Sequence, residues 1–94
     1  MDRKLSLLGL AYRASKLKFG ESVLENIKQV KYMFIASDAS EKTKERYLKK
    51  CSYYNIPYSM NYSCTQLSSS LSKKTIKIIG VTDNGFKKLF LESK

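Results

Sequence analysis

One block, residues 34–58, limits what this chain can fold into. Phe34, Ile35 and Ala36 form an apolar run leading to Ser37 and Asp38, a basic helical stretch follows through Cys51, and Asn55, Ile56, Pro57 and Tyr58 return the chain to extended structure. Asp38 and Glu41 stand at D-x-x-E spacing, which lets one carboxylate accept from first-turn amides while the other reaches back to the cap. Pro57 cannot continue a helix and biases Ile56 toward extended geometry. The block therefore predicts a buried strand, an Asp38-capped helix over residues 40–52 and a tight entry into a second strand over 58–62.

The remainder extends this alternation. Leu5, Leu8 and Ala11, with Leu7, Leu10 and Ala14 beside them, make a wide apolar stripe on a helix over residues 2–14, started by Asp2. Residues 16–19 alternate polar and apolar and read as a short strand stopped by Gly20. Val23, Leu24 and Ile27 carry helical spacing as far as Gln29, and residues 32–37 are β-branched or aromatic enough for a central strand. Tyr47, Cys51 and Tyr54 mark the buried side of the next helix. Leu67 and Leu71 frame a serine-rich helix over 63–71, residues 75–82 read as a strand, and Asp83 starts a last helix buried through Phe86, Leu89 and Phe90. Nine elements in strict α, β alternation predict an α/β fold, layered α/β/α around four strands, in a single domain over residues 1–94.

Composition excludes several function classes. No apolar run is long enough to span a membrane, and the N-terminal stretch is broken by Ser6, Gly9 and Tyr12, so a cytoplasmic protein with no membrane partner is expected. Histidine is absent, which removes the commonest general base and metal ligand, and two cysteines cannot build a four-ligand zinc site. No glycine-rich nucleotide loop occurs. Cys51 and Cys64 read as small packing residues. The chain is expected to be non-catalytic, with no metal and no cofactor.

Charge points to the partner. Eighteen Lys and Arg against eight Asp and Glu give a net charge of +10, a density that concentrates polyanions. Lys16 and Lys18 lie on the strand ending at Gly20, and the helix after that glycine turns its free amides toward whatever lies in front of Gly20, Glu21 and Ser22, a setting suited to backbone phosphates. Lys73 and Lys74 fall in the loop before the last strand and join such a site only if the fold brings them to the Gly20 turn.

The order of local patterns resembles the kink-turn RNA-binding ribosomal protein family of the seven-Ae and thirty-e type, closest to its short bacterial YlxQ-like members. The matching stretches are residues 7–11, 13–16, Gly20 with Glu21, residues 36–40 with Thr43 and Lys44, Lys50 and Cys51 with residues 53–57, Leu67, and residues 81–83 with Gly85 and Phe86. The resemblance implies a three-layer α/β/α sandwich around a four-stranded mixed sheet. It also implies binding to RNA internal loops that join a three-nucleotide bulge to sheared G·A pairs, with ribosomal RNA among the candidates. It further implies that Lys18, Gly20, Glu21, Ser22 and Asn26 enter the groove, that Ser72, Lys73, Lys74 and Thr75 close over an extruded base, and that Ser40 lines the pocket of that base. Departures are visible. Many members carry Asn, Glu and Lys where this chain has Ser22, Val23 and Asn26, and Val23 cannot hydrogen-bond to a base edge. Ser68 and Ser72 stand where glycines are usual.

Three functions follow from these residues. The first is a monomeric RNA-binding protein for kink-turn-like loops, holding phosphates with Lys16, Lys18, Lys73 and Lys74. The second is basic, shape-indifferent association with RNA or the ribosome, led by Lys42, Arg46 and Lys49. The third is a protein–protein adaptor using Tyr53, Tyr54, Tyr58 and Tyr62 as an aromatic patch, which requires those rings to be exposed together.

Overall fold

A computed structural model describes residues 3–71 and 76–92. Ser72, Lys73, Lys74 and Thr75, expected in the binding site, lie outside the described residues. The elements are α1 (Arg3–Arg13), β1 (Leu17–Phe19), α2 (Glu21–Glu25), a single tight turn (Ile27–Gln29), β2 (Tyr32–Ile35), α3 (Glu41–Tyr54), β3 (Tyr58–Ser59), α4 (Cys64–Ser70), β4 (Ile78–Val81) and α5 (Asn84–Glu92). The strands form a mixed sheet in the order β1-β4-β2-β3. Here β4 is antiparallel to both β1 and β2, and β3 is parallel to β2. The expected α/β/α layering with four strands is what the chain adopts.

Strand periodicity explains the layers. On β2, Tyr32 and Phe34 face one side while Met33 and Ile35 face the other, and on β4 Ile79 and Val81 oppose Ile78. The first side packs against Leu7, Leu8 and Ala11 of α1, Leu67 of α4 and Phe90 of α5. The second packs against Val23 of α2 and Tyr47 and Cys51 of α3. Both central strands are buried throughout, as helices on both faces require.

The capping of α3 corrects the sequence reading. Asp38 does not cap it; Ser40 does, its Oγ accepting from the Thr43 amide at 3.2 Å and donating to Thr43 Oγ1 at 2.9 Å. Asp38 instead accepts from the Cys64 amide at 2.9 Å and so ties the turn after β2 to the start of α4. The two acids in D-x-x-E register are separated by a helix start that falls two residues later than that pattern supposes. Asp83 behaves as expected, accepting from the Phe86 amide at 3.0 Å.

Three elements are shorter than their periodicity suggests. The helix expected through Gln29 breaks at Asn26, whose backbone amide and side-chain Nδ2 both donate to the Ser22 carbonyl. The strand expected over 58–62 keeps only Tyr58 and Ser59 in the ladder, because Tyr62 turns inward to the first core while its carbonyl accepts from Ser37. On the other side of the sheet order, β4 itself runs only from Ile78 to Val81, although the Lys77 carbonyl still accepts from Ala36. The serine-rich helix holds through a capping box between Ser63 and Gln66. Within it, the buried Ser68 hydroxyl accepts from the Ile76 amide at 2.8 Å.

Cys51 is a core residue, with its thiol 3.6 Å from Met33 Sδ, and burial pushes its pKa up to about 11. The folded value exceeds the ordinary one of 9.0, so the contribution of the neutral thiol is whole below about pH 9 and is lost as pH rises toward 11. Urea unfolding is therefore expected to show wild type losing roughly 1–2 kcal/mol more than Cys51→Ala across that window. A constant difference between the two proteins would contradict this assignment.

Candidate nucleic-acid interface

One end of the sheet collects the residues that matter. The antiparallel register places Phe19 opposite Ile79 and Ile35 opposite Ile78, so the end of β1, the start of β4 and the end of β2 meet there. Gly20 leaves β1 with its amide donating to the Ile78 carbonyl at 3.2 Å. Its backbone adopts φ +54° and ψ −127°, which side-chain-bearing residues rarely reach, while an added Cβ would meet nothing within 4 Å. Conformation alone, and not crowding, requires glycine here. The amides of Glu21 and Ser22, next in line, have no intrahelical acceptor, and both residues are exposed. α2 is five residues long, so its dipole is small and the amides themselves matter more.

α3 braces this turn from behind. Arg46 Nη1 and Nη2 donate to Glu21 Oε1 and Oε2 at 3.0 and 3.1 Å, a two-pronged pair across 25 residues. Tyr47 donates its hydroxyl to the Gly20 carbonyl at 3.1 Å. Burial, reinforced by the Glu21 carboxylate, raises the Tyr47 pKa, so the phenol remains a donor near neutral pH. The Arg46–Glu21 pair is more than half exposed and adds little stability, but its fork geometry holds the Glu21 carboxylate in one orientation. Each carboxylate oxygen keeps a further lone pair for an incoming amino or imino donor. Neither Arg46 nor Tyr47 was assigned to this turn by sequence, and no local pattern links them to it, since Tyr47 is buried and Arg46 half-exposed on the adjacent position of the helix.

A cavity of about 330 Å³ opens beside the turn, lined by Phe19, Gly20, Ile76, Lys77 and Ile78. Lys77, exposed at its mouth, is a cation the sequence reading omitted, although its place between Ile76 and Ile78 fits an outward-facing strand position. Ser40, at the start of the helix that supplies Arg46 and Tyr47, sits at this same end with its hydroxyl engaged by Thr43. Lys18 lies on edge strand β1 opposite Gly80, two residues before the turn.

Other expected members sit apart. Lys16 precedes β1 at the far end of the sheet, where its carbonyl accepts from the Thr82 amide and hydroxyl, ~13 Å of strand away from Gly20. Asn26 has its donor group engaged with Ser22. Val23 is wholly buried against the sheet, so the position that differs from many relatives presents no group to the surface. The tyrosines do not form one exposed patch: Tyr62 is buried and Tyr54 half-buried, leaving Tyr53 and Tyr58 outside. Among the described residues no three potential metal ligands cluster, and no helix is long and apolar enough to cross a membrane.

No protein-family model matches the chain. Two proteins named RNA-binding protein YlxQ are similar to it. That of Enterococcus faecium is 38% identical over 90 residues, covering 93% of this chain and 86% of the relative. That of Bacillus subtilis (strain 168) is 39% identical over 83 residues, covering 85% and 83%. Among solved structures, a protein of unknown function from Bacillus halodurans superposes with a TM-score of 0.92 at 36% identity over 97% of this chain and 95% of its own. The Giardia lamblia 15.5kD RNA binding protein shares the fold, with a TM-score of 0.77 at 17% identity over 94% of this chain and 78% of its own.

Proposed function

Since this chain belongs to the family of the RNA-binding protein YlxQ, we propose that residues 1–94 act as one non-catalytic RNA-binding domain for a kink-turn-like internal loop. The single observation that carries this reading is the braced Gly20 turn. A backbone corner open only to glycine presents two amides, an oriented carboxylate and the flanking cations Lys18 and Lys77 beside a cavity. Amides and ammonium groups suit phosphates, whereas a fixed carboxylate suits the amino and imino edges that sheared G·A pairs turn outward. Phosphate contacts position such a protein, and RNA shape specifies it. Lys73 and Lys74 extend the site in this proposal, and Ser72 and Thr75 cover the extruded base. The protein works as a cytoplasmic monomer with ribosomal RNA among its candidate ligands.

The test is a fluorescently labelled kink-turn at low magnesium, where protein-induced bending raises energy transfer, beside the same RNA with its G·A pairs replaced by Watson–Crick pairs. Wild type is expected to prefer the first by roughly tenfold or more, since each lost polar contact to a charged group costs about 1.5–3 kcal/mol. Lys18→Glu is expected to remove most of the binding. Equal affinity for the two RNAs would overturn loop recognition. The basic outer face of α3 favours a second reading, shape-indifferent association, under which Lys42→Glu or Lys49→Glu weakens binding as much as Lys18→Glu.

A further inference from the structure

We infer that the outer face of α3 is a second RNA contact, which seats an unpaired nucleotide flanking the loop held at the Gly20 turn. The inference rests on the RNA-binding reading above and adds a ligand class to it: single-stranded RNA next to the structured element.

Lys42, Arg46, Lys49, Lys50 and Tyr53 fall on one side of α3 at helical spacing and, with Glu45, line a shallow depression of about 470 Å³. Arg46 is occupied by Glu21, which leaves three ammonium groups against one carboxylate, and none of the three is ion-paired among the described residues. An exposed face of that sign favours polyanions. The decisive feature is Tyr53, 78% exposed at the end of this basic stripe. Its ring meets Tyr54 edge-to-face at 4.8 Å between centroids, and Tyr54 in turn packs on the second core. A large aromatic ring left in solvent, yet propped by a half-buried neighbour and flanked by lysines, has the makings of a base-stacking platform.

Geometry connects this platform to the first site. Arg46 belongs to both, and seven residues of helix separate it from Tyr53, a rise of ~10 Å. That distance suits a strand leaving the Gly20 turn, placing a phosphate near Lys49 or Lys50 and the next base on Tyr53. Duplex RNA cannot use the platform, because its bases are stacked and enclosed.

The experiment compares the kink-turn and its Watson–Crick counterpart, each blunt or carrying four unpaired uridines at each end in turn. Wild type is expected to bind one extended form about tenfold more tightly than the blunt form, in the range of a single base stack. Tyr53→Ala should abolish that gain without changing affinity for the blunt RNA, and Tyr53→Phe should keep it. Lys49→Gln should reduce the gain and flatten its salt dependence. No gain at any end, or a gain that survives Tyr53→Ala, overturns the inference. A gain on both RNAs without preference between them supports the inference and overturns loop recognition. Preference for the kink-turn without a gain does the reverse, and failure to bind any of the RNAs overturns both.

Discussion

Gly20→Val is expected to lower affinity for the kink-turn by roughly thirtyfold or more while costing the fold about 2 kcal/mol. A β-branched residue cannot hold φ +54° and ψ −127°, so the corner must relax to negative φ and swing the Glu21 and Ser22 amides away from their present directions. The Gly20 carbonyl would turn with them, breaking the Tyr47 hydrogen bond at 3.1 Å. Two amide–phosphate bonds lost together account for a binding defect of that size. Tyr47→Phe is the informative companion. It removes only the brace, leaves Gly20 able to keep its conformation, and should cost about 1 kcal/mol of stability with a smaller loss of affinity. Titration by fluorescence anisotropy with parallel urea unfolding separates the two effects. If Gly20→Val bound RNA as wild type does, the corner could not be the recognition element.

Phe34→Ala is expected to be the most damaging single truncation for stability, at about 3–5 kcal/mol. Phe34 is fully buried on the central strand β2, and its ring stands 5.1 Å from Tyr32, 5.0 Å from Phe90 and 6.1 Å from Tyr62. Those neighbours come from β2 itself, α5 and the segment after β3, so the cavity cannot close by the shift of one helix. A domain of this size has about 5–15 kcal/mol in total, and each kcal/mol moves its melting temperature by about 4–8 °C. A fall of roughly 15–30 °C in Tm should follow, read by circular dichroism. Phe34→Leu, which keeps most of the volume, should lose less than half as much. A loss under about 1 kcal/mol for Phe34→Ala would mean that the aromatic cluster is not the centre of the fold.

The block at 34–58 shows how far local patterns reach. Its strand, helix and re-entry occur in the expected order and begin where the residues place them, because hydrophobic period and Pro57 act within a few positions of themselves, though the second strand keeps only Tyr58 and Ser59. Its cap was misread for a related reason. Asp38 and Ser40 are both good caps locally, and Asp38 is taken instead by the Cys64 amide, 26 residues on, which no local pattern reports. Val23 carries the same lesson, since its departure from relatives seemed to remove a base contact, yet in the fold it faces the sheet.

By itself the sequence determined the α/β alternation, the three layers and the place of Gly20 at the strand end before Glu21, because these follow from side-chain periodicity and local punctuation within single elements. Tertiary structure alone decided what surrounds that glycine. The β1-β4-β2-β3 order and its registers set Lys18 and Lys77 at the same end of the sheet, sent Lys16 to the other, and swung α3 so that Arg46 and Tyr47 grip Glu21 and Gly20. Strand order and register arise from how all the buried faces pack at once, and residues 25 or 27 positions apart become neighbours only when that packing is complete.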